Sequence, residues 1–294
     1  MIKVIASDLD ETLLNSEHVV SAGNAAAIKK AQEAGIEFLA ITGREYAGAM
    51  TVLKPAGIDC NCILASGAEV RDKKGTVEKS ILMSDEEVRQ VLKIAEPYPV
   101  IVFFFSDEWS YLLGTEEDLK NYLLGEVRQF FFNGTEEEIL ASEIYKERRS
   151  YLKRIGSLEE MRRKGIPIVK TFLFSEDTEL MKRVKSLYDP LPTIAVASSL
   201  PTNIELTDIR AQKGPILKEW IEEHGYSMDE VMVLGDSLND VSMLQMDYGV
   251  TVAVGNAVKE AWEAARYVTK TNNEDGVAYA IEKVLAGQIE DLAK

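Results

Sequence analysis

Four aspartates follow apolar stretches of the sequence. Asp8 and Asp10 come directly after IKVIAS with one residue between them, and Asp236 follows VMVLG, with Asp240 four residues later. Carboxylates that meet at one edge of a sheet repel one another unless a cation lies among them or one takes up a proton. Because oxygen ligands of this kind suit Mg²⁺, the sequence predicts a magnesium site there.

Other polar residues follow the remaining apolar stretches. Thr42 comes after IEFLAI, Ser66 after CILA, and Asn239 lies between the two late aspartates. Short apolar runs with β-branched residues are typical of buried strands. Since ligands of open parallel sheets bind outside the carboxyl ends of the strands, we expect these side chains to meet at one edge.

Strand and helix patterns alternate in the first and last parts of the chain. A helix is predicted over residues 21–34, where Gly35 ends it, and others over about 215–224 and 276–286. The middle differs, because VIVFFF and WSYLLG suit the two strands of a hairpin. We therefore expect an α/β fold, with a Rossmann-like parallel-sheet core and an inserted α+β unit.

Composition excludes several classes of protein. The 294 residues include 49 acidic and 33 basic ones, a net charge of −16, which argues against nucleic acid as a partner. Two cysteines and two histidines leave little material for a zinc site or a Ser-His-Asp triad. No N-terminal stretch is long enough to cross a membrane and no signal peptide is evident, so we expect a cytoplasmic protein without a membrane partner.

Four segments carry a resemblance to a known family. DLDETLLNS, ITGR, the lysine of AQKGPIL, and GDSLNDVSML, in that order, resemble the four motifs of haloacid dehalogenase-like (HAD) phosphatases. The inserted middle and the tail resemble the Cof-type branch, whose members carry a large α/β cap. The resemblance implies a catalytic core of residues 1–83 and 209–294, with residues 84–208 as the cap. One motif alone would be weak, whereas the ordered set is specific.

The resemblance also implies catalytic roles. Asp8 takes the position of the nucleophile that forms an aspartyl-phosphate, and Asp10 that of the general acid and base. Thr42 takes the place of the hydroxyl that binds the phosphoryl group, and the amide of Gly43 adds a second donor. Lys213 takes the place of the cation that holds the phosphoryl oxygens.

The metal site implied by the resemblance uses the aspartates of the strand exits. Mg²⁺ would be held by Asp8, by Asp10 through its backbone carbonyl, and by Asp236. Asp240 would act through a metal-bound water or by holding Lys213. Asn239 would contact the phosphate or the ligands around the metal.

Two positions depart from the family pattern. Glu11 stands where the family usually carries glycine, and Ser66 where Cof-type members often carry asparagine. Glu11 either points outward or pairs with a cation such as Arg44. A basic run in the insertion, which includes Arg148, could contact phosphate or sugar groups of a substrate, but we expect it on a solvated helix face.

These features predict a Mg²⁺-dependent phosphatase. Its partner would be a small phosphorylated metabolite, a sugar phosphate or a related phosphomonoester. One alternative is a phosphomutase of the phosphomannomutase type, which passes the phosphoryl group to a substrate hydroxyl. Another is a non-catalytic Mg²⁺-binding phospho-acceptor like a response-regulator receiver, although such modules are about as long as the core alone and call for no insertion.

Overall fold

The computed structural model describes residues 1–106 and 109–294, apart from the side chains of residues 129 and 130. Its strands form two sheets. The eight-stranded sheet contains β1 (Val4–Ser7), β2 (Glu37–Ile41), β3 (Asn61–Leu64), β4 (Glu69–Arg71), β5 (Val77–Ser80), β12 (Val231–Gly235), β13 (Val250–Ala253) and β14 (Tyr267–Val268). The six-stranded sheet contains β6 (Ile101–Phe105), β7 (Ser110–Leu113), β8 (Leu152–Ile155), β9 (Lys170–Phe174), β10 (Ile194–Ala197) and β11 (Asn203–Asp208).

The eight-stranded sheet is parallel over most of its width. Its order is β14-β13-β12-β1-β2-β3-β4-β5, and the pairs from β14 to β3 are parallel. The sequence prediction of a parallel-sheet core is therefore confirmed. Strand β4 is antiparallel to β3, and β5 is antiparallel to β4; together they extend the sheet by an edge that the sequence patterns did not predict.

Helices cover both faces of this sheet. Along β1, Ile5 contributes to one apolar cluster, whereas Val4 and Ala6 contribute to another, as the two-residue period of a strand requires. The first cluster includes residues of α1 (Ala22–Glu33), α2 (Tyr46–Leu53) and α12 (Gly276–Leu285). The second includes residues of α9 (Lys213–Glu223), α10 (Val241–Leu244) and α11 (Lys259–Ala264). Burial on both faces explains why the strands are almost uninterrupted apolar runs.

The six-stranded sheet is mainly antiparallel. Its order is β10-β11-β9-β6-β7-β8, with one parallel pair, β7 with β8. The predicted hairpin is confirmed, since Phe104 pairs with Tyr111 across β6 and β7. All six strands lie within residues 84–208, the range assigned above to the cap.

The two faces of the six-stranded sheet have different neighbours. Val102 and Phe104 pack with α3 (Asp85–Ala95), α7 (Leu158–Arg163) and α8 (Thr178–Ser186). On the other face, Phe103 packs against α4 (Glu116–Phe130), which is followed by α5 (Glu136–Ala141) and α6 (Glu143–Tyr151). The aromatic residues of this second face are thus directed away from the α3 side.

No helix among the described residues is long and apolar enough to cross a lipid bilayer.

Candidate active site

The predicted site residues lie where neighbouring parallel strands end. Asp8 follows β1, and its backbone N–H donates to the carbonyl of Leu234 in β12 at 3.0 Å. Thr42 follows β2, and its N–H donates to the carbonyl of Ile63 in β3 at 2.9 Å. Because β12, β1, β2 and β3 are consecutive in the sheet, their carboxyl ends deliver these residues side by side.

Lys213 binds two of the aspartates. Its Nζ donates to Oδ1 of Asp8 and to Oδ1 of Asp240, each at 2.6 Å, and the side chain is fully buried. Burial lowers the pKa of Lys213, but the charges and hydrogen bonds of Asp240 and Asp8 outweigh that effect and raise it. The lysine is therefore a cation in the folded protein. It lies at the first position of α9, so the helix fixes its place relative to β1.

Three carboxylates form one compact group. Asp8, Asp236 and Asp240 each place an oxygen within 4.8 Å of the others, and all three are buried. Burial raises the pKa of Asp236 to about 8, and the charge of Asp240 is the second cause of this rise. The hydroxyl of Thr12 donates to the carboxylate at 2.7 Å, which lowers the pKa but does not cancel the rise. Burial also raises the pKa of Asp8 well above its usual range, despite the charge of Lys213. Three carboxylates face one ammonium group here, so a divalent cation would bring the group to neutrality.

Asp240 differs from the other two aspartates because both of its oxygens have partners. Oδ1 accepts from Lys213. Oδ2 accepts from the backbone N–H groups of Asp236 and Ser237 at 3.0 and 3.1 Å. Its contacts therefore hold the lysine and the turn after β12, which leaves Asp8 and Asp236 as the carboxylates with capacity for a cation.

The carboxylate of Asp10 lies outside this group. Arg44 donates to it through Nε at 2.8 Å and through Nη2 at 2.5 Å, a bidentate pair. Burial would raise the pKa of Asp10, but the hydrogen bond and charge of Arg44 outweigh it and lower the pKa. The predicted metal contact of Asp10 concerns its backbone carbonyl and stays a prediction.

The residues predicted to bind phosphate lie around the same edge. Thr42 is fully buried, and its Oγ1 accepts from the backbone N–H of Arg44 at 3.2 Å. A Cβ on Gly43 would lie 3.1 Å from a carboxylate oxygen of Glu205, so glycine suits this crowded position. Asn239 is buried, and its Oδ1 accepts from the hydroxyl of Ser237 at 2.9 Å.

A cavity of about 360 Å³ opens over these residues, and both sheets contribute to it. Its lining includes Asp8, Asp10, Gly43, Asp236 and Asn239. The lining also includes an aromatic wall, which consists of Phe103, Phe105, Tyr122, Tyr151 and Phe172. The six-stranded sheet therefore contributes to the same cavity as the candidate catalytic residues.

Four rings of the aromatic wall pack against one another. Phe172 stacks on Phe105 with ring centroids 5.7 Å apart and meets Phe103 edge-on at 5.8 Å. Tyr122 meets Phe103 edge-on at 4.8 Å. Such contacts stabilise the arrangement of the rings beyond the burial of each one.

Comparison with known proteins identifies the family. The family of haloacid dehalogenase-like hydrolases matches residues 5–281. The chain belongs to this family. It is 31% identical over 289 residues to phosphatase YwpJ of Bacillus subtilis, an alignment that covers 96% of this chain and 100% of that protein.

A solved structure and a second phosphatase are also similar to this chain over almost its whole length. A HAD-like hydrolase structure from B. subtilis superposes with a TM-score of 0.82 at 30% identity, covering 96% of this chain and 99% of the other. The 5-amino-6-(5-phospho-D-ribitylamino)uracil phosphatase YwtE of B. subtilis is 29% identical over 286 residues, 97% of this chain and 99% of that protein. The present HAD-like hydrolase is accordingly a phosphoric monoester hydrolase.

The two departures of this HAD-like hydrolase from the family pattern share a backbone feature. Glu11 has φ of 56° and Ser66 has φ of 62°, both in the left-handed region. Glycine enters that region without cost and asparagine more readily than most residues, which accounts for the residues usual at these positions. The carboxylate of Glu11 accepts from the side-chain amide of Asn272 at 3.2 Å, and Arg44 pairs with Asp10 instead.

Three charged residues that line the cavity are absent from the site predicted from the sequence. Arg148 was expected on a solvated helix face, but it lies in the cavity lining and donates to Glu126 at 2.9 Å. Lys170 and Glu205 come from β9 and β11 and form a buried ion pair. No local pattern marks these residues, because their partners are distant in the sequence.

Proposed function

We propose that this HAD-like hydrolase is a Mg²⁺-dependent phosphatase that cleaves small phosphomonoesters through an aspartyl-phosphate on Asp8. The observation that carries the proposal is the group of three buried carboxylates around Lys213, which opens into a cavity between two sheets. A carboxylate nucleophile, a fixed cation beside it and an enclosed space are what phosphoryl transfer to aspartate requires.

In the first step, an oxygen of Asp8 attacks phosphorus and the ester P–O bond breaks. The leaving oxygen takes a proton from Asp10, while Lys213, the hydroxyl of Thr42 and the amide of Gly43 hold the phosphoryl oxygens. A carboxyl group paired with Arg44 is ionised, so Asp10 needs a proton before this step. The phosphate dianion of the substrate competes for Arg44 and thereby lets Asp10 bind that proton.

In the second step, water attacks the phosphorus of the aspartyl-phosphate. Asp10, now a carboxylate, takes the proton of that water, and the bond between phosphorus and the Asp8 oxygen breaks. Inorganic phosphate leaves and Asp8 is regenerated. The walls of the cavity limit the access of bulk water to the intermediate.

The donor set fits Mg²⁺. Asp8, Asp236 and the backbone carbonyl of Asp10 would hold the ion, with Asp240 acting through a bound water or by holding Lys213. When bound, the ion neutralises negative charge on the carboxylates and on the transferring phosphoryl group. The excess of negative charge among the buried aspartates supports this assignment.

The aromatic wall indicates which leaving groups the cavity would accept. Sugar phosphates and related metabolites are the expected class, and flat rings fit among the aromatic side chains of the wall. Two relatives carry names that combine phosphate with a ring, the 5-amino-6-(5-phospho-D-ribitylamino)uracil phosphatase YwtE and the pyridoxal phosphate phosphatase YbhA of Escherichia coli. We therefore expect phosphomonoesters with a planar ring in the leaving group to be better substrates than plain sugar phosphates.

A panel of phosphomonoesters tests the proposal. We expect release of inorganic phosphate with Mg²⁺ and without a bisphosphate activator, which also separates a phosphatase from a phosphomutase. Ring-bearing esters should give a higher kcat/KM than glycerol phosphate. Asp8→Asn should abolish release, because an amide is no nucleophile, whereas the exposed Asp59→Asn should leave it unchanged. No release from any ester would overturn the proposal.

A further inference from the structure

Lys170 and Glu205 form a buried ion pair that the mechanism above does not use. They lie on the neighbouring strands β9 and β11 of the six-stranded sheet, and their charged atoms are 3.1 Å apart. Their side chains are only 1% and 2% exposed. Burying two charges is costly unless they gain further hydrogen bonds, so the partners of the pair show what it holds.

Those further partners belong to the loops of the other sheet. Nζ of Lys170 donates to the backbone carbonyl of Gly43, and the hydroxyl of Ser66 donates to the carboxylate of Glu205. Gly43 follows β2, and Ser66 follows β3. The ring of Phe105 lies 4.3 Å from Nζ and closes one side of the lysine. The pair therefore joins the six-stranded sheet to two strand exits of the catalytic sheet.

A chain of hydrogen bonds continues from Lys170 to Thr42. The carbonyl of Gly43 and the N–H of Arg44 belong to one peptide group, and that N–H donates to Oγ1 of Thr42 at 3.2 Å. A cation on the carbonyl polarises the peptide and strengthens the donation of its N–H. Since Oγ1 of Thr42 accepts this bond, the hydroxyl proton of Thr42 stays available for a phosphoryl oxygen.

The second loop is tied to the first. The N–H of Ser66 donates to the carbonyl of Thr42 at 3.0 Å, and the N–H of Ala65 donates to the carbonyl of Arg44 at 2.9 Å. Glu205 holds Ser66 from the other side. Lys170 and Glu205 thus contact both halves of one loop assembly, and neither contact involves a metal ligand.

We propose that Lys170 is a positioning residue for phosphoryl transfer: through the carbonyl of Gly43 it holds the Thr42–Gly43–Arg44 loop in its phosphate-binding conformation. Glu205 keeps the lysine in place and fixes Ser66. The geometry of the phosphate site then depends on the contact between the two sheets. The inference rests on the proposed role of Thr42 and Gly43 in phosphate binding.

The test measures phosphate affinity and catalysis separately. In Lys170→Met the charge is lost and much of the side-chain volume is kept. We expect its affinity for inorganic phosphate, measured by calorimetry with Mg²⁺ present, to fall about 10- to 100-fold. The kcat/KM should fall by a similar factor for esters with small and with large leaving groups. A residue that only contacted the leaving group would instead change the ratio between esters.

Lys120→Met is the matched control. Lys120 pairs with Glu136 at 2.6 Å in the same part of the chain, and it is not among the described residues that line the cavity. Phosphate affinity should be unchanged in this variant. If folded Lys170→Met binds phosphate within about twofold of the unsubstituted protein, the proposal is overturned.

A second variant covers the case in which Lys170→Met does not fold. Glu205→Gln keeps an acceptor for Ser66 but removes the charge that holds Lys170, so phosphate binding should again weaken. Unchanged affinity in this variant also contradicts the proposal. Because binding of inorganic phosphate needs no turnover, these results are distinct from a failure of the proposed phosphatase activity.

Discussion

Residue 11 shows how a single position combines backbone strain with a stabilising contact. Glu11 is in the left-handed region, which costs a residue with a Cβ roughly 1–2 kcal/mol. Its carboxylate is bound by Asn272, and its carbonyl accepts from Asn256 at 2.8 Å. A net hydrogen bond of this kind contributes about 1 kcal/mol, so the contact offsets much of the strain.

Comparison of two substitutions separates these contributions. Glu11→Ala and Glu11→Gly both lose the side-chain bond to Asn272, but only glycine relieves the strain. We expect the glycine variant to be more stable than the alanine variant by about 1 kcal/mol in urea unfolding, and both to keep turnover. Equal stabilities would contradict the strain argument, and a large loss of turnover in both would assign Glu11 to the chemistry.

At the same scale, sequence reasoning succeeds where a residue follows its own strand. Asp8 and Asp236 were predictable because each comes directly after an apolar run, and the structure brings them together. Lys170 and Glu205 were not predictable, because the partners that connect them to the site are distant in the sequence. Gly43 is 127 residues from Lys170, and Ser66 is 139 residues from Glu205. Contacts of that kind depend on how the two sheets face each other, which no local pattern encodes.

Among the elements, apolar strands were predictable and polar ones were not. β1, β2 and β12 are apolar runs buried between helices, so their composition identifies them. β11, with the sequence NIELTD, is completely buried although four of its six residues are polar or charged. It is stable because its polar groups have partners, as Glu205 has in Lys170 and Ser66, and periodicity alone cannot reveal such partners.

The charge of β11 makes stability depend on pH. Burial alone would raise the pKa of Glu205, but the charge of Lys170 and the hydrogen bond from Ser66 lower it from 4.5 to about 2. A carboxyl group with a lowered pKa stabilises the fold at pH values above its ordinary pKa. That contribution is lost as the pH falls through the folded-state value.

Urea unfolding of Glu205→Gln at several pH values tests this effect. Above about pH 5 the variant should be less stable than the unsubstituted protein, by up to about 3 kcal/mol for a shift of this size. The difference should shrink as the pH falls from about 4.5 to about 2, because glutamine does not titrate. A difference that stays constant over this range would show that charge is not what Glu205 contributes.

At the scale of the whole molecule, three buried carboxylates that need a cation lie in a protein with a net charge of −16. A phosphate dianion approaches such a protein against repulsion, and the one lysine in the group cannot balance three carboxylates. Mg²⁺ would neutralise this local negative charge at the proposed phosphate site. Metal binding should therefore affect both turnover and the stability of the folded chain.

Removal and return of the metal tests this coupling. We expect EDTA to stop phosphate release and Mg²⁺ to restore it. The ion should also raise the unfolding free energy by about 2.7 kcal/mol at a hundredfold excess over its Kd, since it binds the folded state. Asp236→Asn should lose most of this stabilisation, whereas Asp10→Ala should keep it because the backbone carbonyl remains. Turnover that is indifferent to EDTA, with no change in unfolding on addition of Mg²⁺, would remove the ion from the mechanism and leave the buried carboxylates to be neutralised by protons.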